Sequence, residues 1–388
     1  MRVFVLAGEA SGDRLGAALM QGLKTLRPDV TFAGIGGPGM IAQGLSSLFP
    51  MAELSVMGLA EVLPRYRHLK RRLEQTVAKV LEMRPDVLIT IDSPDFSLRV
   101  AARVRAQAPI RAVHYVAPTV WAWRAGRAEK IARTVDQVLA LLPFEPPYLE
   151  AAGVRCDFVG HPVVAEPVPD DAEIAAFRAA HDLGEAPILL VLPGSRSGEV
   201  SRLTPVFGAA LTRLLAARPE WRVVVPAAPG VAGFVGEKVA AWPGNPLVLD
   251  PSGVSDADAA TRKRVAFRAA DLALAASGTV SLELAAAETP MVVAYDMNWL
   301  TWQIASRMVR LDTVTLVNLV SGRNVVPEFL GPACKADAIA DALLALAQDP
   351  QQQEAQHAAM RETMQALGQG DEAPGLRAAR AVLSALPT

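Results

Sequence analysis

Two strings in the second half of the chain have the residue types that hold phosphate. An apolar run at 188–192 ends in PGSRSGEV. There Gly194 lets the backbone approach a ligand, Ser195 brings a hydroxyl and Arg196 a fixed cationic fork. A second run at 272–275 ends in ASGTVSLE, placing Ser277, Gly278 and Thr279 ahead of a helical pattern and Glu283 one turn into it. Helix N-termini turn unpaired N–H groups toward anions. Two such loops on one side of one sheet suit a diphosphate, and Glu283 suits the hydroxyls of a ribose. Either loop alone reads equally well as a tight turn with capping Ser and Thr; the pair favours a ligand.

The first half carries acids at comparable places. The run at 87–91 ends in DSPDF, so Asp92 sits where a central strand gives out. A carboxylate there can take the proton of an attacking hydroxyl, and its plain alternative is a helix cap. Glu9 follows the first strand at the same end of the sheet. HYVAPTVWAWR at 114–124 puts Trp121 and Trp123 just beyond another strand, where aromatics pack on a sugar face or an acyl chain as readily as they fill a core. His114 and His161 read as structural hydrogen-bonding groups. Residues 57–81 set Met57, Leu59, Val62 and Leu63 beside Arg65, Arg67, Lys70, Arg71 and Arg72. An apolar stretch next to a basic cluster suits an anionic membrane surface, although a solvated helix face explains it by itself.

Other patterns point nowhere. GIGGPG at 34–39 satisfies the dinucleotide fingerprint but follows the second strand instead of the first, with no clear acid about twenty residues on. Asp256 and Asp258 have a cation-binding spacing but lie in SDADAATRKR, which reads as a solvated helix start. No Walker A loop, H-E-x-x-H or G-x-S-x-G string occurs. No metal and no cofactor is expected.

These residues need elements to position them. Short apolar runs alternate with helical patterns throughout, as in parallel sheets with crossover helices. Strands are expected at 3–7, 31–35, 87–91, 110–116 and 138–142, and again at 188–192, 222–226, 247–249, 272–275 and 291–295. Helices are expected at 13–26, 69–83, 202–217 and 280–288. The proline- and acid-rich string at 166–177 reads as a linker. It leaves an α/β chain of two Rossmann-like doubly wound domains, 1–165 and 166–350, facing each other across a cleft, with a helical tail at 351–388 that can pack back on the first. A length of 388 residues suits two such domains. A net charge of −2 argues against bulk nucleic-acid binding. Cys156 and Cys334, far apart in sequence, suit a reducing compartment, and no apolar run reaches the length of a membrane span.

Taken together the strings resemble the lipid-A-disaccharide synthase family, inverting glycosyltransferases of the GT-B fold. They are LAGEASGDRLGA (6–17), GIGGPGM (34–40), MGLAEVL (57–63), IDSPDF (91–96), HYVAPTVWAWR (114–124), LLPFEPPY (141–148), GHP (160–162), LPGSR (192–196), ASGTVSLE (276–283) and PMVVAY (290–295). The resemblance implies UDP-2,3-diacylglucosamine as donor and 2,3-diacylglucosamine 1-phosphate as acceptor, joined β-1,6 with release of UDP. It implies a cytoplasmic enzyme peripheral to the inner face of the inner membrane, and it admits a homodimer. By position Asp92 matches the family's essential carboxylate, Arg196 its essential arginine and Glu9 a further important acid. Asn318, in LVNLVSG at 316–322, matches an asparagine of the cleft, in a string that departs here from the family's pattern. Residues 256–264 look like added polar sequence. Two rival readings are another GT-B UDP-sugar transferase or UDP-sugar epimerase, and a nicotinamide-dependent oxidoreductase using residues 34–39. A non-catalytic nucleotide-binding module is a third.

Overall fold

The computed structural model describes residues 1–54, 59–119, 125–297, 302–303 and 313–386, except the side chains of 59–65 and 125. The chain forms two compact units, Met1–Ala165 with Leu367–Thr388, and Glu166–Ala366.

In the first unit the strands are β1 (Arg2–Ala7), β2 (Thr31–Ile35), β3 (Ser46–Ser47), β4 (Val87–Ile91), β5 (Arg111–Tyr115), β6 (Gln137–Ala140) and β7 (Arg155–Phe158). The helices among them are α1 (Ala10–Leu26), α2 (Pro38–Ala42), α3 (Leu59–Met83), α4 (Pro94–Arg105), α5 (Ala125–Ala132) and α6 (Pro146–Glu150). The strands pair in parallel in the order β3-β2-β1-β4-β5-β6-β7. β4 is buried along its whole length, and so is β1 beyond Arg2. Strands covered on both faces need such unbroken apolar runs, because helices pack on each side.

The second unit holds α7 (Asp171–Ala180), β8 (Ile188–Leu192), α8 (Ser197–Ala217), β9 (Arg222–Pro226), α9 (Ala232–Val239), β10 (Leu247–Leu249) and α10 (Asp256–Arg268). It continues with β11 (Leu272–Ala276), α11 (Val280–Ala286), β12 (Met291–Tyr295), α12 (Leu316–Ser321), β13 (Glu328–Leu330), α13 (Ala336–Gln348) and α14 (Pro350–Ala366). Its parallel sheet runs β10-β9-β8-β11-β12-β13. The chain then returns to the first unit as α15 (Pro374–Ser384).

Both sheets therefore reverse their strand order after three strands, between β1 and β4 and between β8 and β11. Ala7 pairs with Ile91 at the first reversal and Leu192 with Ala275 at the second. At such a point the flanking loops leave in opposite directions and open a crevice at the carboxyl ends, where ligands of doubly wound sheets bind.

Three expectations change. Residues 166–177 are only partly a linker: α7 begins at Asp171, with Asp170 and Glu173 forming a reciprocal capping box. The tail is divided between the units. On α14, buried Gln356 exchanges two hydrogen bonds with Met291 at the start of β12, at 2.8 and 3.1 Å. α15 instead lies on α1, so closely that a Cβ on Gly22 would fall 2.6 Å from the Gly375 carbonyl. Its Ala378, Ala379 and Val382 enter the core of β1 and α1. The strands β3, β7 and β13 were not expected, being short and only partly buried.

Candidate functional site

At the first reversal β1 runs into Gly8 and Glu9, the latter extended (φ −142°) at the start of α1. β4 runs into Asp92 and Ser93, with φ of +50° and +44°. Two successive non-glycine residues in the left-handed region store roughly 1–3 kcal/mol each. Asp92 meets part of that cost locally, its Oδ1 accepting the Ser93 N–H at 2.8 Å, and Pro94 then starts α4 where its missing N–H costs nothing. The sharp turn leaves Asp92 half-buried at the strand end. It also sends the Ser93 hydroxyl toward Glu9, 3.5 Å from Oε1. A Cβ on Gly8 would lie 2.6 Å from that hydroxyl, so a glycine is what lets the two strand ends close. Glu9 and Asp92 are thus brought to one place, with Ser93 between them. Ser93 was missed; its one signal was a small hydroxyl residue wedged between an acid and a proline. At the end of neighbouring β5, Val116 also takes a positive φ of +80°.

At the second reversal β8 runs into Pro193, Gly194 and Ser195, and Arg196 caps α8 with extended backbone. Gly194 has φ of +116°. Glu199, in the first turn of α8, folds back over this loop. Its Oε2 accepts the Ser195 N–H at 3.1 Å and its Oε1 accepts from Arg196 Nη1 at 3.5 Å. The Tyr295 hydroxyl donates to the same Oε1 at 3.4 Å. Tyr295 ends β12, two strands from β8, and β11 lies between them. The Tyr295–Glu199 contact therefore spans the end of β11, where Ser277, Gly278 and Thr279 follow. The two small-residue loops share one edge of one sheet. Burial foremost, then the Glu199 charge, holds the Tyr295 hydroxyl's pKa above its ordinary value. Glu199 and Tyr295 were not singled out in the sequence.

Glu283 is held by an ion pair with Lys263 of α10, whose ammonium also lies 5.2 Å from the Phe267 ring centroid. The segment at 256–264 thus supplies a partner to the residue expected to hold a ribose. Asp256 and Asp258 open α10, Ser255 donating to Asp258 at 2.6 Å. Among the described residues no group of three or more His, Cys, Asp or Glu is placed to hold a metal.

Two expectations need correction. Asn318 does not line a cleft: it is 2% exposed. Its Oδ1 accepts the Val325 and Val326 N–H groups at 3.1 and 3.0 Å, and its Nδ2 donates to the Val326 carbonyl at 3.0 Å. A buried amide so fully bonded organises the loop leading to β13. Arg72 is not a free membrane-facing cation. Its guanidinium meets both Glu53 oxygens at 2.7 Å and stacks 4.5 Å from the Phe49 ring. Arg67, Lys70 and Arg71 are exposed, Arg71 beside the His68 ring at 3.0 Å. Met57, Trp121 and Trp123 lie outside the described residues, as do the side chains of Leu59 and Arg65.

The glycine string at 34–39 already holds an anion from within the chain. Asp13 on α1, 6% exposed, accepts the N–H groups of Gly37, Gly39 and Met40 at 2.8, 2.8 and 3.0 Å. A dinucleotide phosphate would need that same cradle, which argues against the oxidoreductase reading. His114 is fully buried, its Nδ1 paired with Thr90 Oγ1 at 2.8 Å. Burial, helped by the Arg127 charge, pushes its pKa down to about 4. His161 accepts the Val163 N–H at 3.2 Å.

A family model described as lipid-A-disaccharide synthetase matches residues 3–375. The chain is 66% identical over 387 residues to the lipid-A-disaccharide synthase of Ruegeria pomeroyi, covering 100% of this chain and 96% of that one. It is 48% identical over 387 residues to that of Rhodospirillum centenum, covering 99% and 94%. Among solved structures it is similar to the UDP-GlcNAc 2-epimerase from Neisseria meningitidis bound to UDP-GlcNAc. The TM-score there is 0.67 at 12% identity, over 100% of this chain and 99% of the other, a likeness of fold.

Proposed function

The chain belongs to the lipid-A-disaccharide synthase family, and from that premise we propose the following reaction for it. It joins UDP-2,3-diacylglucosamine to 2,3-diacylglucosamine 1-phosphate, giving the β-1,6-linked disaccharide 1-phosphate and UDP. One observation carries the division of labour: each sheet reverses its strand order between the two strands whose ends bear the candidate residues. The first unit supplies acids and the second a cation with small-residue loops.

In this reading the 6-hydroxyl of the acceptor attacks the anomeric carbon as the bond to UDP breaks, so a single displacement inverts the centre. Asp92 takes the hydroxyl proton, with Glu9 and Ser93 orienting it. General-base help of this kind is worth about 10²–10⁴-fold in rate. Arg196, Ser195 and the turn at 277–279 hold the diphosphate as negative charge gathers on it. Donors fixed beforehand stabilise that charge without reorganising. They can stand in for a metal ion, so activity should persist in a chelator; a strict divalent-ion requirement would contradict this.

Mass spectrometry of the products tests the reaction. Equal amounts of UDP and disaccharide 1-phosphate are expected from the acylated pair, and none from plain UDP-glucosamine. An epimerised or merely hydrolysed donor would overturn the reading.

Among the described residues no helix is long and apolar enough to cross a membrane. Exposed Arg67, Lys70 and Arg71 on α3 support peripheral attachment to anionic lipid on the inner face of the inner membrane. Reversing their charge should weaken vesicle binding more than UDP binding, and equal loss of both would count against it. A homodimer belongs to the same proposal, and light scattering tests it.

A further inference from the structure

Glu199 has no part in the reaction as drawn, yet three groups from two strand ends and the cap of α8 converge on it. A glutamate in the first turn of a helix ordinarily reaches back to the N–H of the capping residue. Glu199 reaches one residue further, to Ser195, and Gly194 makes that possible. A Cβ on Gly194 would stand 2.6 Å from the Cβ of Glu199. The glutamate side chain is 14% exposed while that of its partner Arg196 is 64% exposed. A contact at 3.5 Å with so exposed a guanidinium adds little to the stability of the fold. Its consequence is orientation: a long arginine side chain already held in one arrangement has less rotamer freedom for binding to remove. The carboxylate is itself held from the far side by Tyr295, and its second oxygen fixes the loop N–H of Ser195.

We propose that Glu199, braced by Tyr295, is a positioning residue that sets Arg196 and the 193–196 loop for the leaving diphosphate. This rests on the reading of Arg196 as the diphosphate anchor. The rival role has the opposite sign. A carboxylate that merely occupied the phosphate position would compete with UDP, and neutralising it would tighten binding.

Calorimetric titration of UDP into the full-length protein and its variants separates the cases. Glu199→Gln should weaken UDP binding about tenfold, and Tyr295→Phe, the milder change, about threefold. In the Arg196→Ala background Glu199→Gln should add no more than about twofold, because the two residues act through one contact. Three results would overturn the proposal: tighter UDP binding by Glu199→Gln, unchanged binding with a lowered melting temperature, or additive losses in the double variant. If Arg196→Ala alone left UDP binding intact, the anchor reading would fail first, and visibly apart from these.

Discussion

The two strand-order reversals occupy the same place in sheets that share the order of their first six strands, and they are furnished in opposite ways. Between β1 and β4 stand Glu9 and Asp92, and non-glycine backbone is bent into the left-handed region to present the acid. Between β8 and β11 the positive φ falls on Gly194, the exposed side chain is a cation, and the carboxylate present faces inward to steady it. The fold thus decides where chemistry can be done, and the residues decide which. The left-handed backbone falls on Asp92 and Ser93 at the first reversal and on Gly194 at the second.

Asp92→Asn breaks that contrast most severely. Turnover at saturating acceptor should fall about 10²–10⁴-fold, measured as UDP release. Near-normal turnover would remove Asp92 from the reaction.

The next largest effect compares two glycine loops, one in each unit. The loop at 34–39 gives three N–H groups to Asp13 from inside the chain, whereas that at 193–196 gives one to Glu199 and leaves the Ser195 and Arg196 side chains exposed. Asp13→Ala strips a buried carboxylate from three N–H groups and should cost about 3 kcal/mol in denaturant unfolding. An Asp13 variant of wild-type stability would show that the cradle does not need its internal anion.

The units should also differ toward acid. Among the described residues the buried ionisable side chains, Asp13, His114, Tyr115, Glu145 and Cys156, all belong to the first unit. His114 has a pKa of about 4 when folded against 6.5 when not. Above pH 6.5 both states are neutral and its contribution is complete. As pH falls through 6.5 the unfolded ring takes up a proton that the folded ring refuses, so stability drains away until about pH 4. By pH 5 that loss amounts to about 2 kcal/mol. Denaturant melts at pH 7 and pH 5 should show the loss in the first unit, and His114→Gln should remove only its own share, because burial also lowers the His161 pKa to about 4.

The smallest effect concerns α3. Arg72→Ala should lower thermal stability through loss of Glu53 and Phe49 while leaving vesicle binding as it was. Reduced vesicle binding would return Arg72 to the exposed cluster.

Much of the fold is legible because its central strands are short unbroken apolar runs that alternate with longer helical patterns. β3, β7 and β13 escape notice because Ser46–Ser47, Arg155–Phe158 and Glu328–Leu330 are short and only partly covered. α7 need not have been missed, since Asp170 and Glu173 spell a capping box. At the site, Asp92 is legible as an acid directly after a strand and Arg196 as a cation in a glycine-containing loop between a strand and a helix. Glu199 is not, because its partner Tyr295 is 96 positions away. Ser93 matters only once the backbone at Asp92 turns left-handed. Asn318 misleads for a related reason: a matching string tells what residue is present, but its burial is decided by chain that folds over it.

UDP titration of the Asp92→Asn and Arg196→Ala proteins side by side tests the division of labour most directly. Asp92→Asn should bind UDP within about twofold of the parent protein, and Arg196→Ala about 10–100-fold more weakly. Equal weakening in both, or in Asp92→Asn alone, would contradict an account in which the first unit moves the proton and the second holds the diphosphate.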